Sequence, residues 1–462
     1  MSNPEPTTQT TAFPRSTSTL PILCSSLTML SRIVREKGGK SLVVVTSAMA
    51  KVTDALLDSF EIAKKGDPEA AFNSLEIHFE RHLKVAEALL KFNQQKIFQD
   101  ELGLIKREIK DLLSRVARRS LPLSMLKDAI VSYGEHMSSR LLTEVLSASD
   151  MNAYYVDARR LIVTDDEFGS ASPIWDETRE LIRLELTPLI QEGFVPVTGG
   201  FIAANRSGET TTLGRGGSDY SAALIGAALK AKEIQIWTDV SGVLTCDPRI
   251  CPEARTLRTL SYEEAAELAY FGAKVLHPKT IQPAVDLNIP VRVCNSLRPE
   301  EEGTLILPAS RSTPRKVKSI AFKKGITILR ITSARMLGAY GFMSAIFQIF
   351  ERYRTVIDVV ATSEVSVSLT LDNTHSLDNI VRELQRIGKV EVERGNAVVC
   401  VVGSGLRDTA GVAAQIFRAI SDFNISLISH GASSVNLTFV VKEEVVKDVV
   451  LKLHQEFFAN NH

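Results

Sequence analysis

A mostly parallel α/β sheet sandwiched by helices, followed by a tandem pair of α+β modules, is the architecture to expect of this 462-residue chain. Three observations point to it. Up to about residue 300, apolar β-branched runs alternate with amphipathic helical stretches, which is the rhythm of crossover-connected parallel strands. The texture then changes across "RPEEEGTLILPASRSTPRKVKS" (Arg298 to Ser319), where charge, Pro and Ser interrupt the rhythm and mark a domain boundary. Beyond it, two segments of roughly 70–80 residues share one layout of strand, glycine turn, amphipathic helix and two strands, an internal repeat.

Taken in order, the elements carry this reading. The first thirty residues are rich in Ser, Thr and Pro, and only Glu5 and Arg15 bear side-chain charge. Two readings stand there: a disordered segment, or an organellar transit segment, which is Ser-rich and acid-poor. "SLVVVTSAM" (Ser41 to Met49) reads as a buried strand, β-branched and uninterrupted. From Asp54 to about Ala148 the pattern is helical. Leu75, Phe79, Leu83, Ala86 and Leu90, and again Ile105, Ile109, Leu112 and Val116, recur at spacings of three and four and belong to the core. There follow a helix in "WDETRELIRLELTPLI", a strand in "FVPVTGGFIA", a helix in "SDYSAALIGAAL" and a strand in "EIQIWTDV".

The bulk numbers set limits on function. Lys+Arg and Asp+Glu balance at 54 each, so a whole-protein field that gathers nucleic acid is not expected. The five cysteines (Cys24, Cys246, Cys251, Cys294, Cys400) form no CxxC pair. Their odd count argues against a disulfide framework and for a reduced, cytoplasmic setting. No metal-ligating residues are assigned. No run approaches the roughly 18 apolar residues of a membrane span, so no membrane partner is expected.

Four stretches carry chemistry. In "TTTLGRGGSDY" (Thr210 to Tyr220), glycines let backbone N–H groups approach a ligand, and Arg215 offers a planar fork for carboxylate or phosphate. The helix that begins near Ser218 and Asp219 could hold an anion at its positive end; Asp219 equally reads as a plain cap. The loop lies between a strand and a helix, where α/β sheets place ligands. In "WTDVSGVLTCDPRI", Asp239 follows a strand and can reach a cleft, while Asp247-Pro248-Arg249 supplies a turn and a cation. In "FGAKVLHPKTI", Lys274 either neutralises phosphate or snorkels along the surface. His277-Pro278 reads as a helix break with no chemistry. In "VSYGEHMSS", Glu135 beside Gly134 either grips an amino group or simply starts a helix.

Together "VVVTSAMAKVTDALL", "VSYGEHMSS", "TTTLGRGGSDY", "WTDVSGV…DPR" and "FGAKVLHP" resemble, in order and spacing, the aspartate kinases of the amino-acid kinase fold. The C-terminal pair resembles ACT (ferredoxin-like) modules, down to "TSEVSV" and "NISLISHGASS". The match runs from about Ile33 to Phe458, with the lysine-inhibited, single-function type as the nearest resemblance. It implies a divergent segment over 1–30, a kinase domain over 31–305, and ACT modules over 318–390 and 391–462.

The resemblance further implies transfer of the ATP γ-phosphoryl group to the β-carboxylate of aspartate, the first step of lysine, threonine and methionine synthesis. Arg215 would clamp an aspartate carboxylate and Glu135 would pair with its ammonium. Ser47, Thr53 and Ser218 match positions near substrate and phosphates, and Asp219 would help hold the reacting groups in line. Thr238, Asp239, Leu244, Arg249 and Lys274 match nucleotide-side positions, with Leu244 where some relatives carry tyrosine. Mg²⁺ would be held largely by ATP oxygens. In the first ACT module, Met336, Gly341, Phe342, Asp358, Thr362, Ser363 and Glu364 match the effector-pocket region, and the Asp358 carboxylate suits a cationic lysine. Lysine inhibition is expected, with threonine as the runner-up, in a homodimer joined through the ACT modules.

One departure stands out. The family opens with a strand ending in Lys-Phe-Gly-Gly-Thr-Ser, whose lysine stabilises the transferring phosphoryl group. A gapless count puts Arg15 at that place, in "RSTSTL", and both glycines are absent. "PTTQTTAFP" before it is too polar and Pro-broken for a central strand. Three readings remain: a frameshift or misassigned start, a catalytically impaired regulatory subunit that still binds lysine, or an active enzyme with arginine in the lysine's place.

Overall fold

The computed structural model describes residues 7–11, 28, 31–35, 41–272, 278–308, 317–338 and 340–459. Arg15, Cys24, Lys274 and His277 lie outside the described residues. The chain forms two compact units. One holds the described residues up to 243 with 258–260 and 278–308; the other holds 244–257, 261–272 and 317–459.

The first unit opens with strands β1 (Thr7–Thr11) and β2 (Leu42–Thr46). Six helices follow: α1 (Val52–Lys64), α2 (Pro68–Asn73), α3 (Glu76–Leu89), α4 (Phe92–Arg118), α5 (Leu123–Val131) and α6 (Tyr133–Ala148). Next come β3 (Ala153–Tyr155), β4 (Val163–Thr164), α7 (Trp175–Gln191), β5 (Val195–Gly199), β6 (Ile202–Asn205) and β7 (Thr210–Thr212). Helix α8 (Gly217–Ala228) leads into β8 (Ile234–Thr238). Strand β9 (Thr259–Ser261), helix α10 (Gln282–Asp286), and strands β10 (Val291–Asn295) and β11 (Thr304–Leu307) complete the series, while helix α9 (Tyr262–Tyr270) belongs to the second unit.

The main sheet has the order β3-β5-β2-β1-β8-β10-β11-β9. It is parallel from β3 to β10, and β11 turns back antiparallel. Every residue of β2 is buried, as expected of a parallel strand flanked on both sides and covered on both faces. The helical stripes read from the sequence meet in one core, where Leu75, Phe79, Phe98, Ile105, Ile109 and Val116 are all within a few per cent of full burial.

Two expectations need correction. Thr7–Thr11 is a central strand after all, pairing in parallel with β2 on one side and β8 on the other. The prolines Pro4, Pro6 and Pro14 fall outside it. A slot between two parallel strands is filled by main-chain hydrogen bonds, which a threonine-rich run supplies as readily as an apolar one, and threonine is a good strand former. Second, "FVPVTGGFIA" is two strands. It breaks at Gly200-Phe201, and β6 pairs antiparallel with β7 and parallel with β4 in a small separate sheet. The first three residues of the Thr210 stretch are therefore strand, not loop.

The second unit contains a six-stranded sheet. Strands β12 (Ser319–Thr332), β13 (Val360–Thr362) and β14 (Ser366–Leu371), with helices α11 (Phe342–Arg352) and α12 (Leu377–Leu384), make the first module. Strands β15 (Lys389–Val402), β16 (Leu427–His430) and β17 (Asn436–Lys442), with α13 (Val412–Ala419) and α14 (Val446–His454), make the second. The order β13-β14-β12-β15-β17-β16 mirrors one module in the other across the long antiparallel β12–β15 pairing. Each module has its own apolar centre: Leu329, Ile346, Phe350 and Leu369 in the first, Val399, Ile416, Phe439 and Leu453 in the second.

Candidate active site

Because β5, β2, β1, β8 and β10 run in parallel, their carboxyl ends lie along one edge of the sheet. That edge is where open α/β sheets bind ligands. Ser47 follows β2, Gly199 ends β5 with Gly200 just after it, and Thr238 ends β8 with Asp239 just after it. Ser296, after β10, gives both its N–H and its hydroxyl to the Thr238 carbonyl, at 2.8 and 2.9 Å.

Helix α6 brings its first turn to the same edge. Ser138 donates to the Ser47 carbonyl at 2.7 Å, and its hydroxyl lies 3.2 Å from Thr46 Oγ1. Gly134 explains the closeness, since a methyl group there would sit 2.9 Å from Ala48 Cβ and 3.6 Å from Thr53 Oγ1. Gly199 packs against Glu135 in the same way. Ser47, Thr53 and Glu135, distant in sequence, are thus brought together.

Glu135 is sealed from water, and among the described residues its Oε2 has no partner. Burial pushes its carboxyl up to about 8, opposed by the backbone N–H groups of Ala48 and of Glu135 itself. A buried carboxyl with an open oxygen is suited to a cation.

The glycine loop meets this cluster from the other side. Gly200 donates to the Thr46 carbonyl at 2.8 Å, and a methyl group at Gly200 would lie 2.6 Å from Ser218 Cα. Gly217 likewise faces Phe201, whose own backbone is left-handed at φ 66°. Such a conformation is unfavourable for a bulky residue; it is held by Phe201 N–H donating to Ser221 Oγ and by its carbonyl accepting from Leu213 N–H, both at 3.0 Å. Helix α8 begins at Gly217 with left-handed Gly216 as its cap. Asp219 is therefore in the first turn rather than at the cap, and it is half-buried with a partner. Arg215 is exposed just before that turn, and among the described residues its guanidinium has no hydrogen-bond or ion-pair partner.

Sequence reasoning missed Asp128. Its Oδ2 accepts from Gly169 N–H at 2.8 Å and Thr212 N–H at 2.9 Å, fixing the strand that delivers the glycine loop. It missed Asn205 as well, whose Oδ1 accepts from Ser207 and Glu209 N–H and so sets the β6–β7 turn. Neither stands in a motif.

The remaining residues expected on the nucleotide side fall as follows. Thr238 Oγ1 donates to Asp239 Oδ1 at 3.2 Å. Leu244 and Arg249 belong to the second unit. Leu244 accepts from Ser319 Oγ through its carbonyl, and exposed Arg249 is held bidentately by Asp247. Of the residues expected in an effector pocket, Met336 and Phe342 pack on the first module's core, and left-handed Gly341 caps α11. Thr362 ends β13, Ser363 pairs with Ser366, and Glu364 is exposed. The Asp358 side chain is buried; its Oδ1 accepts from Tyr270 Oη at 2.5 Å and lies 3.6 Å from Lys323 Nζ, while its Oδ2 has no partner among the described residues.

Comparison with known proteins accords with this geometry. The model of the amino acid kinase family matches residues 18–295, and an ACT domain model matches 399–457. Lysine-sensitive aspartokinase 3 of Escherichia coli is 39% identical over 424 residues, spanning 90% of this chain and 92% of that one. Aspartokinase 3, chloroplastic, of Arabidopsis thaliana is 38% identical over 432 residues, 91% of this chain and 76% of its own. Among solved structures, E. coli aspartokinase III in complex with aspartate and ADP (R-state) superposes with TM-score 0.83 at 36% identity, covering 98% of this chain and 100% of that chain. The same enzyme with lysine and aspartate (T-state) gives 0.79 at 36% identity over 97% and 99%. A family model over more than half of the chain and near-complete relatives well above the identity at which families diverge lead to one conclusion: this chain belongs to the amino acid kinase family, as one of its aspartokinases.

Proposed function

We propose that the chain is an aspartate kinase that moves the γ-phosphoryl group of ATP to the β-carboxylate of L-aspartate. The P–O bond to the bridging oxygen of ATP breaks, a bond from phosphorus to a carboxylate oxygen forms, and ADP and 4-phospho-L-aspartate leave. The observation that carries the reading is Glu135, a buried carboxyl with an open oxygen beside Ser47 and Thr53. An amino-acid ammonium is a cation of the size and hydrogen-bonding capacity to meet it.

In this reading the exposed Arg215 fork takes a substrate carboxylate bidentately. Thr53, Ser47 and Ser218 line the strand ends beside it. Asp219 in the first turn of α8 holds the reacting groups in line, and Thr238 and Asp239 face the nucleotide. Magnesium arrives with ATP as part of the substrate, keeping mostly phosphate and water oxygens. The chain's own contribution is positioning and charge placement, which dominate phosphoryl transfer. The family resemblance also assigns Leu244 and Arg249 to the nucleotide, and Lys274, outside the described residues, to its phosphates.

Lysine is the inhibitor we assign to the first ACT module. Its ammonium pairs with the open Oδ2 of Asp358, within the region of Met336, Gly341, Phe342, Thr362, Ser363 and Glu364. A homodimer through the ACT modules in a reduced cytoplasm completes the reading. Among the described residues, no helix is long and apolar enough to cross a membrane.

The test is ADP release with and without aspartate, together with trapping of the acyl phosphate by hydroxylamine. Aspartate-dependent ADP and a hydroxamate are expected, both suppressed by lysine. Lysine binding by calorimetry with no turnover would instead identify a regulatory chain whose N-terminal departure has silenced it.

A further inference from the structure

The cysteines look scattered along the chain, yet the second unit gathers two of them with a histidine from its far end. Cys246 and Cys251 flank the turn in "TCDPRIC", and His454 closes α14 more than 200 positions later. Cys251 Sγ lies 3.2 Å from His454 Nδ1. One donor atom from each of the three residues falls within 4.8 Å of the other two. A tetrahedral zinc ion, with Zn–S about 2.3 Å and Zn–N about 2.0–2.1 Å, needs donor-to-donor edges of about 3.5 Å. The three side chains need only small rotations to reach that.

The surroundings are those of a built site. Exposure is 4% for Cys246, 1% for Cys251 and 5% for His454. The sulfurs sit in the second module's apolar core, and the imidazole packs on Phe458 with ring centres 4.8 Å apart. The other ring nitrogen, Nε2, is 3.0 Å from Thr245 Oγ1, which also accepts from Arg255 N–H. With Nε2–H donating to that hydroxyl, the Nδ1 lone pair is aimed at the sulfurs, the outer-shell arrangement that orients a metal-binding histidine. Exposed Glu253 lies at the edge of the trio, its Oε2 3.3 Å from Cys251 Sγ, and would have to turn inward to supply a fourth donor. Two thiolates, an imidazole and a carboxylate are a borderline-soft set that favours zinc over magnesium or calcium.

We infer that Cys246, Cys251 and His454, closed by Glu253, form a structural zinc site that clips the segment 244–257 to helix α14. A divalent cation there would bind the two sulfurs as thiolates and the ring as a neutral imidazole. The inference does not rest on the kinase reading, since metal content is read directly, whatever the chain catalyses.

The experiment uses the full chain, purified with a phosphine reductant and no chelator, then dialysed against metal-free buffer. Elemental analysis is expected to find about one zinc per chain. Stripping with chelator and reloading with Co²⁺ is expected to produce thiolate-to-cobalt charge-transfer absorption and the intense visible bands of tetrahedral cobalt. Cys251→Ser and His454→Ala should each lower retained zinc at least tenfold. If either variant does not fold, the cobalt spectrum of the unaltered chain still decides. Zinc below a tenth of an equivalent after incubation with Zn²⁺, together with no cobalt charge-transfer band, overturns the inference. So does a Cys246–Cys251 disulfide in air-isolated protein whose reduced form still takes up no zinc; the trio would then be a hydrogen-bonded core cluster only.

Discussion

Glu135 behaves unlike an ordinary surface carboxylate. Sealed from water and with its carboxyl pushed up to about 8, it is protonated at neutral pH until a cation reaches it. Because the folded-state value lies above the unfolded one, the folded state holds an extra proton between about pH 4.5 and 8. Its favourable contribution is complete below about 4.5 and is lost as pH rises through about 8. Ligand-free stability should therefore fall across that window in chemical denaturation, and Glu135→Gln should flatten this part of the profile. Aspartate binding should release close to one proton per site near pH 7, read by calorimetry in buffers of different ionisation enthalpy; Glu135→Gln should release none. Losing the charged contact should raise the aspartate KM by about 10- to 100-fold, as expected for a charge-assisted hydrogen bond of about 1.5–3 kcal/mol. An unaltered KM with unaltered proton release would place the ammonium elsewhere. Arg215 and Glu135 were readable as candidates because their chemistry shows in a short motif. Asp128 was not, because its work is to hold two backbone N–H groups 41 and 84 positions away.

Glycines decide how the elements close on one another. At Gly200 the β5 end and the start of α8 touch backbone to backbone, so Gly200→Ala must push Ser218 and the glycine loop aside. Overpacking of this kind costs about 1–3 kcal/mol, and the expected outcome is a lowered Tm with a larger loss in kcat/KM for aspartate. Gly103 is the opposite case. It sits inside α4 with open space around it, and Gly103→Ala should raise stability by about 0.5–1 kcal/mol through helix propensity. If both substitutions proved neutral in thermal melts, the packing argument would fail. The capping box at the start of α9 reaches further than most: Ser261 and Glu264 satisfy each other, and Glu264 also receives Lys318 Nζ and Ser404 Oγ, each at 2.8 Å. Both charges of that ion pair are buried. Lys318→Met would strand the glutamate, and a loss of about 3–5 kcal/mol is expected in denaturant titrations. Strand β1 teaches the complementary lesson. Its polar threonines carry no hydrophobic pattern, so a reading based on apolar runs passed over a strand whose place is set by its two neighbours' ladders.

At the level of the entire chain, the two ACT modules form one continuous sheet through β12 and β15, with their helices and cores duplicated on either side. Asp358 lies in the first module with one oxygen engaged by Tyr270 and Lys323 and the other open. If lysine binds there, Asp358→Asn should weaken lysine inhibition by about 10- to 100-fold in half-inhibitory concentration. An inhibition curve that does not shift would move the effector to other residues. Much of this organisation could be read from the linear order of residues, because period, turn chemistry and motif spacing are local properties: the alternating α/β rhythm, the repeat, and the loop bearing Arg215 all follow from neighbours in sequence. What had to await the folded chain were the meetings of distant residues: threonines drawn into a central strand, Asp128 bound to two far backbone groups, Glu135 left with an open oxygen, and Cys246 and Cys251 brought against His454. Those depend on burial and on which elements pack together, and neither quantity is defined until the whole chain has closed around its cores.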